Sequence, residues 1–340
     1  MLSPVGKVLM PSRTLSYFLK APSACRRPVD GVVYPGYSKI GGVSGAIIEV
    51  ALNGGIPKSV NPHVPRTPAE ITADALACIA AGASIVHNHN DEPTIGGPPA
   101  HDPAPYEETW RAVLAAEPDV MLYPTMRGWG PDTTIEQRYS HVVALAQAGV
   151  LGTTIVDLGP INVAPVGADG LPEAGDVMYL CTFGDIDYEF RAARDIGLPI
   201  SLAVFEPGHL RAGLAYVKNG FAPPGSMIKF FFEAAPIGVA ARGLRPTRAA
   251  LGAYLDMLEG FDLPWMAAVT GTPSLDPAFS RLVLAAGGHL SVGIERVGRS
   301  GTPRNVDLVA QAAQLCRDCG REPLSPAGTR AALGLKPALR

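Results

Sequence analysis

Short apolar runs alternate with amphipathic segments eight times from residue 46 onward, and this rhythm restricts the possible folds more than any other feature. The runs span 47–52, 84–88, 120–124, 152–157, 200–205, 227–232, 265–269 and 290–294 and are mostly Val, Ile, Leu or Phe. Runs so short and so uniformly apolar suit strands covered on both faces, the condition of a parallel sheet. Helical spacing follows at 67–81, 106–116, 134–148, 185–196, 208–219, 247–259, 277–286 and 305–319. The first of these opens Thr67-Pro68-Ala69-Glu70, which offers a cap, a proline at the first helical position and the acid of a capping box. Several stop at glycine, among them Gly82, Gly149, Gly197 and Gly260.

Eight strand–helix units in one order predict a single α/β domain, a (β/α)8 TIM barrel over 46–340, behind an N-terminal extension over 1–45. An open doubly wound sheet is the rival. It does not ordinarily need eight units, and the first turn, Asn53-Gly54-Gly55-Ile56, lacks a G-x-G-x-x-G phosphate fingerprint. The extension is basic up to Arg27 and carries no acid before Asp30. It reads as an arm packed on the fold or on a partner subunit, with a presequence as the alternative.

Charge narrows the function. A net charge of −3 with 17% charged residues argues against nucleic-acid and membrane-surface partners. No apolar run reaches the ~18–20 residues that span a bilayer. The five cysteines make no disulfide framework, which fits a reducing, cytoplasmic setting. Cys316 and Cys319 share a helical segment, where packing is the simpler reading than a metal or redox pair.

Barrel enzymes assemble their chemistry where the strands finish. The second run ends His87-Asn88-His89, and residues two apart on a strand point to the same side, so both imidazoles can face the mouth together. The eighth run leads through Ser291-Val292-Gly293-Ile294 to Glu295, and its strand closes against the first, one strand from the histidines. Two histidines and a glutamate make a catalytic-type zinc site with one position open. The bland alternative pairs Glu295 with Arg296 or Arg299 in a surface loop.

Other side chains crowd the same end. Glu49, Ala51 and Asn53 share a face of the first strand, and mid-strand Glu49 is either a buried structural partner or a base. Thr125 and Arg127 follow the third strand, Asp157 ends the fourth, Glu206 ends the fifth, and Lys229 and Glu233 lie on or after the sixth. Carboxylates, an arginine and a metal together suit proton transfer beside a polarised carbonyl. Arg127 and Arg296 can hold a substrate carboxylate or a CoA phosphate. Asn53, Thr125, Asp157 and Glu233 are the expected substrate contacts.

From 47 to 335 the chain resembles the β-keto acid cleavage enzymes. The stretches that carry the likeness include Asn53-Gly54-Gly55, Asn61-Pro62-His63-Val64-Pro65 and Ala81-Gly82-Ala83-Ser84-Ile85-Val86-His87-Asn88-His89. The most specific is Gly287-Gly288-His289-Leu290-Ser291-Val292-Gly293-Ile294-Glu295, followed by Pro303-Arg304-Asn305. The resemblance implies a zinc-bearing barrel that condenses a β-keto acid with acetyl-CoA, giving acetoacetate and a new acyl-CoA. It also implies a homo-oligomer, dimer or tetramer. By motif the ligands map to His87, His89 and Glu295, and the family's acid after the fifth strand maps to Glu206.

The chain departs from the family pattern around the metal. The usual ending R-V-G-L-E-D has become Ser291 through Arg296, losing an arginine and an aspartate. The third-strand loop reads Pro124-Thr125-Met126-Arg127-Gly128 instead of S-T-G-G, and Ile56 stands where some members have glutamate. With that aspartate gone, Glu49 or Glu206 has to serve as base. The same losses leave open a zinc-dependent retro-aldol lyase or hydrolase that does not use CoA, and a catalytically silent barrel.

Overall fold

The computed structural model describes residues 44–128, 133–162, 167–173, 178–234 and 243–338. The extension expected over 1–45 lies outside these residues except for its last two.

Among the described residues ten strands run β1 (Ile48–Ala51), β2 (Ile85–Asn88), β3 (Met121–Pro124), β4 (Thr154–Asp157), β5 (Ile161–Asn162), β6 (Met178–Tyr179), β7 (Ile200–Val204), β8 (Met227–Glu233), β9 (Trp265–Thr270) and β10 (His289–Val292). Eight of them form one sheet in the order β3-β2-β1-β10-β9-β8-β7-β4, with every pairing parallel. The two edges meet where the Gly152 N–H donates to the Leu122 carbonyl at 3.0 Å, so the sheet is nearly closed as a barrel. A Cβ on Gly152 would stand 2.6 Å from the Met121 Cα, so only glycine admits this approach.

The helices are α1 (Pro68–Ala81), α2 (Ala104–Ala116), α3 (Ile135–Gln147), α4 (Phe183–Ile196), α5 (Pro207–Lys218), α6 (Arg248–Met257), α7 (Pro277–Ala285), α8 (Ile294–Val297), α9 (Asn305–Asp318) and α10 (Pro326–Ala332). Thr67 caps α1, and Glu70 completes the capping box, as its sequence predicts. Cys316 is buried on α9 against the core, as helix packing requires. Among the described residues no helix is long and apolar enough to cross a membrane.

Period-two alternation divides each strand between two cores. Ile48, Val50, Leu122, Val156, Leu202, Phe230 and Leu290 face outward against the helices in the main core. Inside the barrel, Ile47, Ile85, Met121, Met227 and Met266 form an apolar bottom layer. Two residues further along those strands stand Glu49, His87, Tyr123 and Lys229, so the next layer up is polar. One more step of two reaches the mouth at Ala51, His89, Thr125 and Phe231.

Three elements differ from the sequence reading. The eighth strand, expected to run to Ile294, ends at Val292. Gly293 turns the chain there at φ 125°, with the Ala51 carbonyl 2.2 Å from where its Cβ would sit, so no side chain fits. Glu295 therefore rides on the helical turn α8 rather than on a strand. The hairpin β5–β6 and helix α10 carry no apolar periodicity long enough to announce them. Thr329 of α10 donates to Ser84 at 2.7 Å, which places that helix at the opposite end of the barrel from the mouth.

Candidate active site and metal centre

Pairing of β1 with both β2 and β10 brings the H-x-H segment and the α8 turn together across a single strand. The Glu295 Oε2 lies 3.2 Å from His87 Nε2 and 3.6 Å from His89 Nε2, and the three ligand atoms fall within 4.8 Å of one another. Each imidazole is oriented through its other nitrogen. His87 Nδ1 donates to the Tyr123 carbonyl at 3.3 Å, and His89 Nδ1 is hydrogen-bonded to the Thr94 hydroxyl at 3.1 Å. This is the outer-shell arrangement that fixes a metal-ligating histidine.

The donor set fits a divalent ion. Glu295 Oε2 is buried without a hydrogen-bond donor, an arrangement that is costly unless a cation answers it. Burial pushes the His89 imidazole down to about 3, leaving it neutral with its lone pair available. Burial alone would raise the Glu295 carboxyl, but Arg296, His87 and His89 outweigh it and hold the group well below the usual carboxylate range. Two nitrogens and one carboxylate oxygen match a catalytic zinc set with an open position.

Arg296 extends from this centre into the polar layer beneath it. Its guanidinium donates to Glu295 Oε1 at 2.9 Å and to Ser291 Oγ at 3.1 Å, and it lies 3.4 Å from Glu49 Oε1. Glu49 is 1% exposed; its Oε2 pairs with Lys229 Nζ at 2.7 Å, and its Oε1 accepts from Ser291 at 2.7 Å. Burial would raise the Glu49 carboxyl, yet Lys229 and Arg296 together hold it below its ordinary value. Lys229 also donates to the Tyr123 hydroxyl, and the Tyr123 ring stacks on His87 at 4.5 Å. The bland alternative for Glu295 is thus half realised: it does pair with Arg296, inside the barrel, while also facing both histidines.

Above the candidate metal centre opens a cavity of about 310 Å³, within the range of small-molecule sites. His87, His89, Glu295, Arg296, Tyr123 and Thr125 line one part of it, and Asp157 lies among apolar side chains in another.

The profile of the beta-keto acid cleavage enzymes matches residues 45–335. The chain belongs to that family. Among curated relatives, the 3-keto-5-aminohexanoate cleavage enzyme of Fusobacterium nucleatum is 25% identical over 299 residues, covering 85% of this chain and 98% of its own. The 3,5-dioxohexanoate:acetyl-CoA acetone transferase of Paraburkholderia graminis is 26% identical over 73% of this chain and 81% of its own. The 3-oxoadipate:acetyl-CoA acetyltransferase of Cupriavidus necator is 25% identical over 85% and 94%. Among solved structures, a ternary complex of ObcA with C4-CoA adduct and oxalate superposes with a TM-score of 0.57 at 15% identity, covering 81% of this chain and 68% of that one. This last likeness shows the barrel fold.

The family's barrel disposes the remaining sequence candidates unevenly. Thr125 and Asp157 line the cavity. Asn53 sits behind it, donating to the Pro65 and His89 carbonyls and accepting from the His89 N–H at 2.8 Å, so it fixes the H-x-H segment to the first strand. Arg127 donates to the Pro93 and Pro98 carbonyls and thereby holds the loop after β2. Glu206 stands at the start of α5 and accepts the Gly243 N–H at 2.7 Å; Glu233 ends β8 and is buried. Neither they nor Glu49 are among the side chains lining the cavity. Sequence reasoning missed the apolar lining from Phe205, Phe231 and Tyr179. Counting in twos from the inward-facing Lys229 finds Phe231, but nothing local marks Tyr179 on its short hairpin.

Asp157 has a neighbour with a pH consequence. Glu189 is 2% exposed, and burial and then Asp157 push its carboxyl well above the ordinary value. The folded chain therefore holds a proton that the unfolded chain releases near pH ~4.3, so stability is fully present below that value and falls as pH rises toward the folded one. Glu189→Gln is expected to flatten the decline of the unfolding temperature between pH 5 and 8, read by calorimetry. An equally steep decline in the variant refutes the assignment.

Proposed function

We propose that this family member, loaded with zinc, converts a β-keto acid R–CO–CH2–COO⁻ and acetyl-CoA into acetoacetate and R–CO–CoA. The observation that carries the reading is the convergence of His87 Nε2, His89 Nε2 and Glu295 Oε2 at the floor of a substrate-sized cavity. The names of two of these relatives include acetyl-CoA, which supports the same co-substrate. A divalent ion held by these three residues supplies a Lewis acid for a bound carbonyl and the negative charge that develops beside it.

The protein's own groups do the rest. Arg296 lines the cavity with its guanidinium gripped on three sides, so it offers a fixed positive charge to a substrate carboxylate. Glu49 acts through Arg296 and does not touch the substrate, because both its oxygens are taken and it is sealed from the cavity. Glu206, the other expected base, is partly exposed but, like Glu49, does not line the cavity, so proton transfer is assigned to neither. Arg127 keeps the loop after β2 over the site. A homo-oligomer in the cytoplasm belongs to the same reading.

The test is to incubate the zinc-loaded chain with acetyl-CoA and a panel of β-keto acids and to follow acetoacetate. Its appearance with loss of acetyl-CoA is expected. Consumption of a keto acid without acetyl-CoA would assign a retro-aldol or hydrolytic reaction instead, and no consumption at full metal occupancy would leave a silent barrel.

A further inference from the structure

The loop after β2 brings a hydroxyl group to the cavity and fixes its direction. Glu92 ties the two ends of this loop together, its Oε2 accepting from Asn90 Nδ2 at 3.1 Å, from His101 Nδ1 at 3.0 Å and from the Asp102 N–H at 3.0 Å. Between those ends Arg127 donates to the Pro93 and Pro98 carbonyls, and the Gly128 N–H donates to the Thr94 carbonyl at 2.6 Å. Thr94 is thus held in place from several sides, and it lines the cavity.

Its hydroxyl stands 3.1 Å from His89 Nδ1. A neutral imidazole has one N–H, and the nitrogen that ligates a metal is the one without it. With Nε2 turned toward Glu295 Oε2, the ring proton is on Nδ1 and is donated to Thr94 Oγ1. The hydroxyl is therefore the acceptor in this bond, and its own proton is left to be donated elsewhere. Among the described residues it makes no other hydrogen bond. A donor so placed favours a ligand that brings it an acceptor. The two ring nitrogens point away from one another, so the hydroxyl lies a ring's breadth from Nε2 and out of reach of a keto oxygen bound there. The substrate carboxylate goes to Arg296, which is held on the Glu295 side. What remains for Thr94 is the tail R.

We propose that Thr94 is a specificity-determining hydrogen-bond donor, and that the cavity prefers β-keto acids whose tail carries an oxygen acceptor over tails of the same shape without one. This rests on the keto acid binding with its keto and carboxylate groups at the metal end, as argued above. The gain is that of one neutral hydrogen bond to a donor already fixed in place, about two- to tenfold in affinity. A tail ammonium brings only donors and leaves the hydroxyl unanswered.

The experiment measures binding and turnover separately on the zinc-loaded full chain. Calorimetric titrations compare 4-methoxy-3-oxobutanoate with 3-oxohexanoate and 5-methoxy-3-oxopentanoate with 3-oxoheptanoate, pairs in which an ether oxygen replaces one methylene. One of the two ethers is expected to bind about two- to tenfold more tightly than its hydrocarbon partner. Thr94→Val, which keeps the side chain's shape, should erase that difference, and Thr94→Ser should retain it, with zinc content checked by elemental analysis in each protein. If Thr94→Val fails to hold zinc, the parent's ranking of the two pairs still decides. A parent chain that prefers neither ether overturns the proposal, as does binding of none of the acids. So does a preference that survives in Thr94→Val, or a loss there shared equally by the hydrocarbon acids, which would put the hydroxyl on the common head group. CoA-thioester formation from acetyl-CoA is followed in parallel. The ether preference without thioester sustains the tail contact and refutes the acetyl-CoA reaction; thioester formation without the preference does the reverse.

Discussion

Glu295→Gln is expected to cut turnover of the best β-keto acid by at least about 10³-fold and to leave the purified chain with only traces of divalent metal. The substitution is nearly isosteric, so the α8 turn and the Gly293 bend have no steric reason to move. It removes the one anionic ligand and puts a weakly coordinating amide where Oε2 faced both imidazoles. Loss of the charge stabilisation that a metal gives a transition state is worth several kcal/mol, and each 1.36 kcal/mol is a factor of ten in rate, which sets the expected size. His87→Ala should empty the site in the same way. Glu107→Gln, in an exposed helical pair with Arg111, serves as the control and should change neither quantity. Elemental analysis beside steady-state kinetics reads both. A Glu295→Gln chain with stoichiometric metal and ordinary turnover would end the proposal that this residue is a ligand.

The grouping of the three candidate ligands was legible in the sequence because it depends on a local pattern and on the order of the strands. An H-x-H at a strand end puts both rings on one side, and the closing of strand eight onto strand one brings in Glu295. The eight units were legible because burial on both faces makes each strand a short apolar run. What escaped depends on distances that no local pattern encodes. Glu49 shares a register position with Ser291, and this lets Arg296 fold back from the next turn onto both, a contact invisible in linear spacing. Lys229 reaches Glu49 across the barrel interior, three strands away in the sheet order. Arg127 looked like an anion holder from its place after the third strand; its hydrogen bonds go to the carbonyls of a loop that sequence alone does not position.

That interior explains a second large effect. Glu49, Lys229, Glu295 and Arg296 are two anions and two cations in contact, neutral as a set, and Glu49, Lys229 and Arg296 are buried while Glu295 faces the cavity. Neutralising one member breaks the balance. Glu49→Gln leaves Lys229 and Arg296 buried with one carboxylate between them, and it is expected to cost about 3–5 kcal/mol, the range for breaking a buried pair. Lys229→Met removes a cation whose partner keeps Arg296 and Ser291, so its cost should be smaller. The double variant restores neutrality, and its loss should fall below that of Glu49→Gln alone, a coupling that urea unfolding of all four proteins would measure. Acid sharpens the contrast. The Glu49 carboxyl is held below its ordinary value, so its contribution is present above the unfolded pKa of about 4.3 and is lost as pH falls through the lower folded value. The double variant lacks that loss and should unfold less steeply in acid than the parent. Because Arg296 and Glu295 remain paired in it, its metal content should match the parent's, which separates a charge network that positions the ligands from the ligands themselves. Additive losses, with the double variant weaker than either single one, would mean that these side chains do not act as one electrostatic unit.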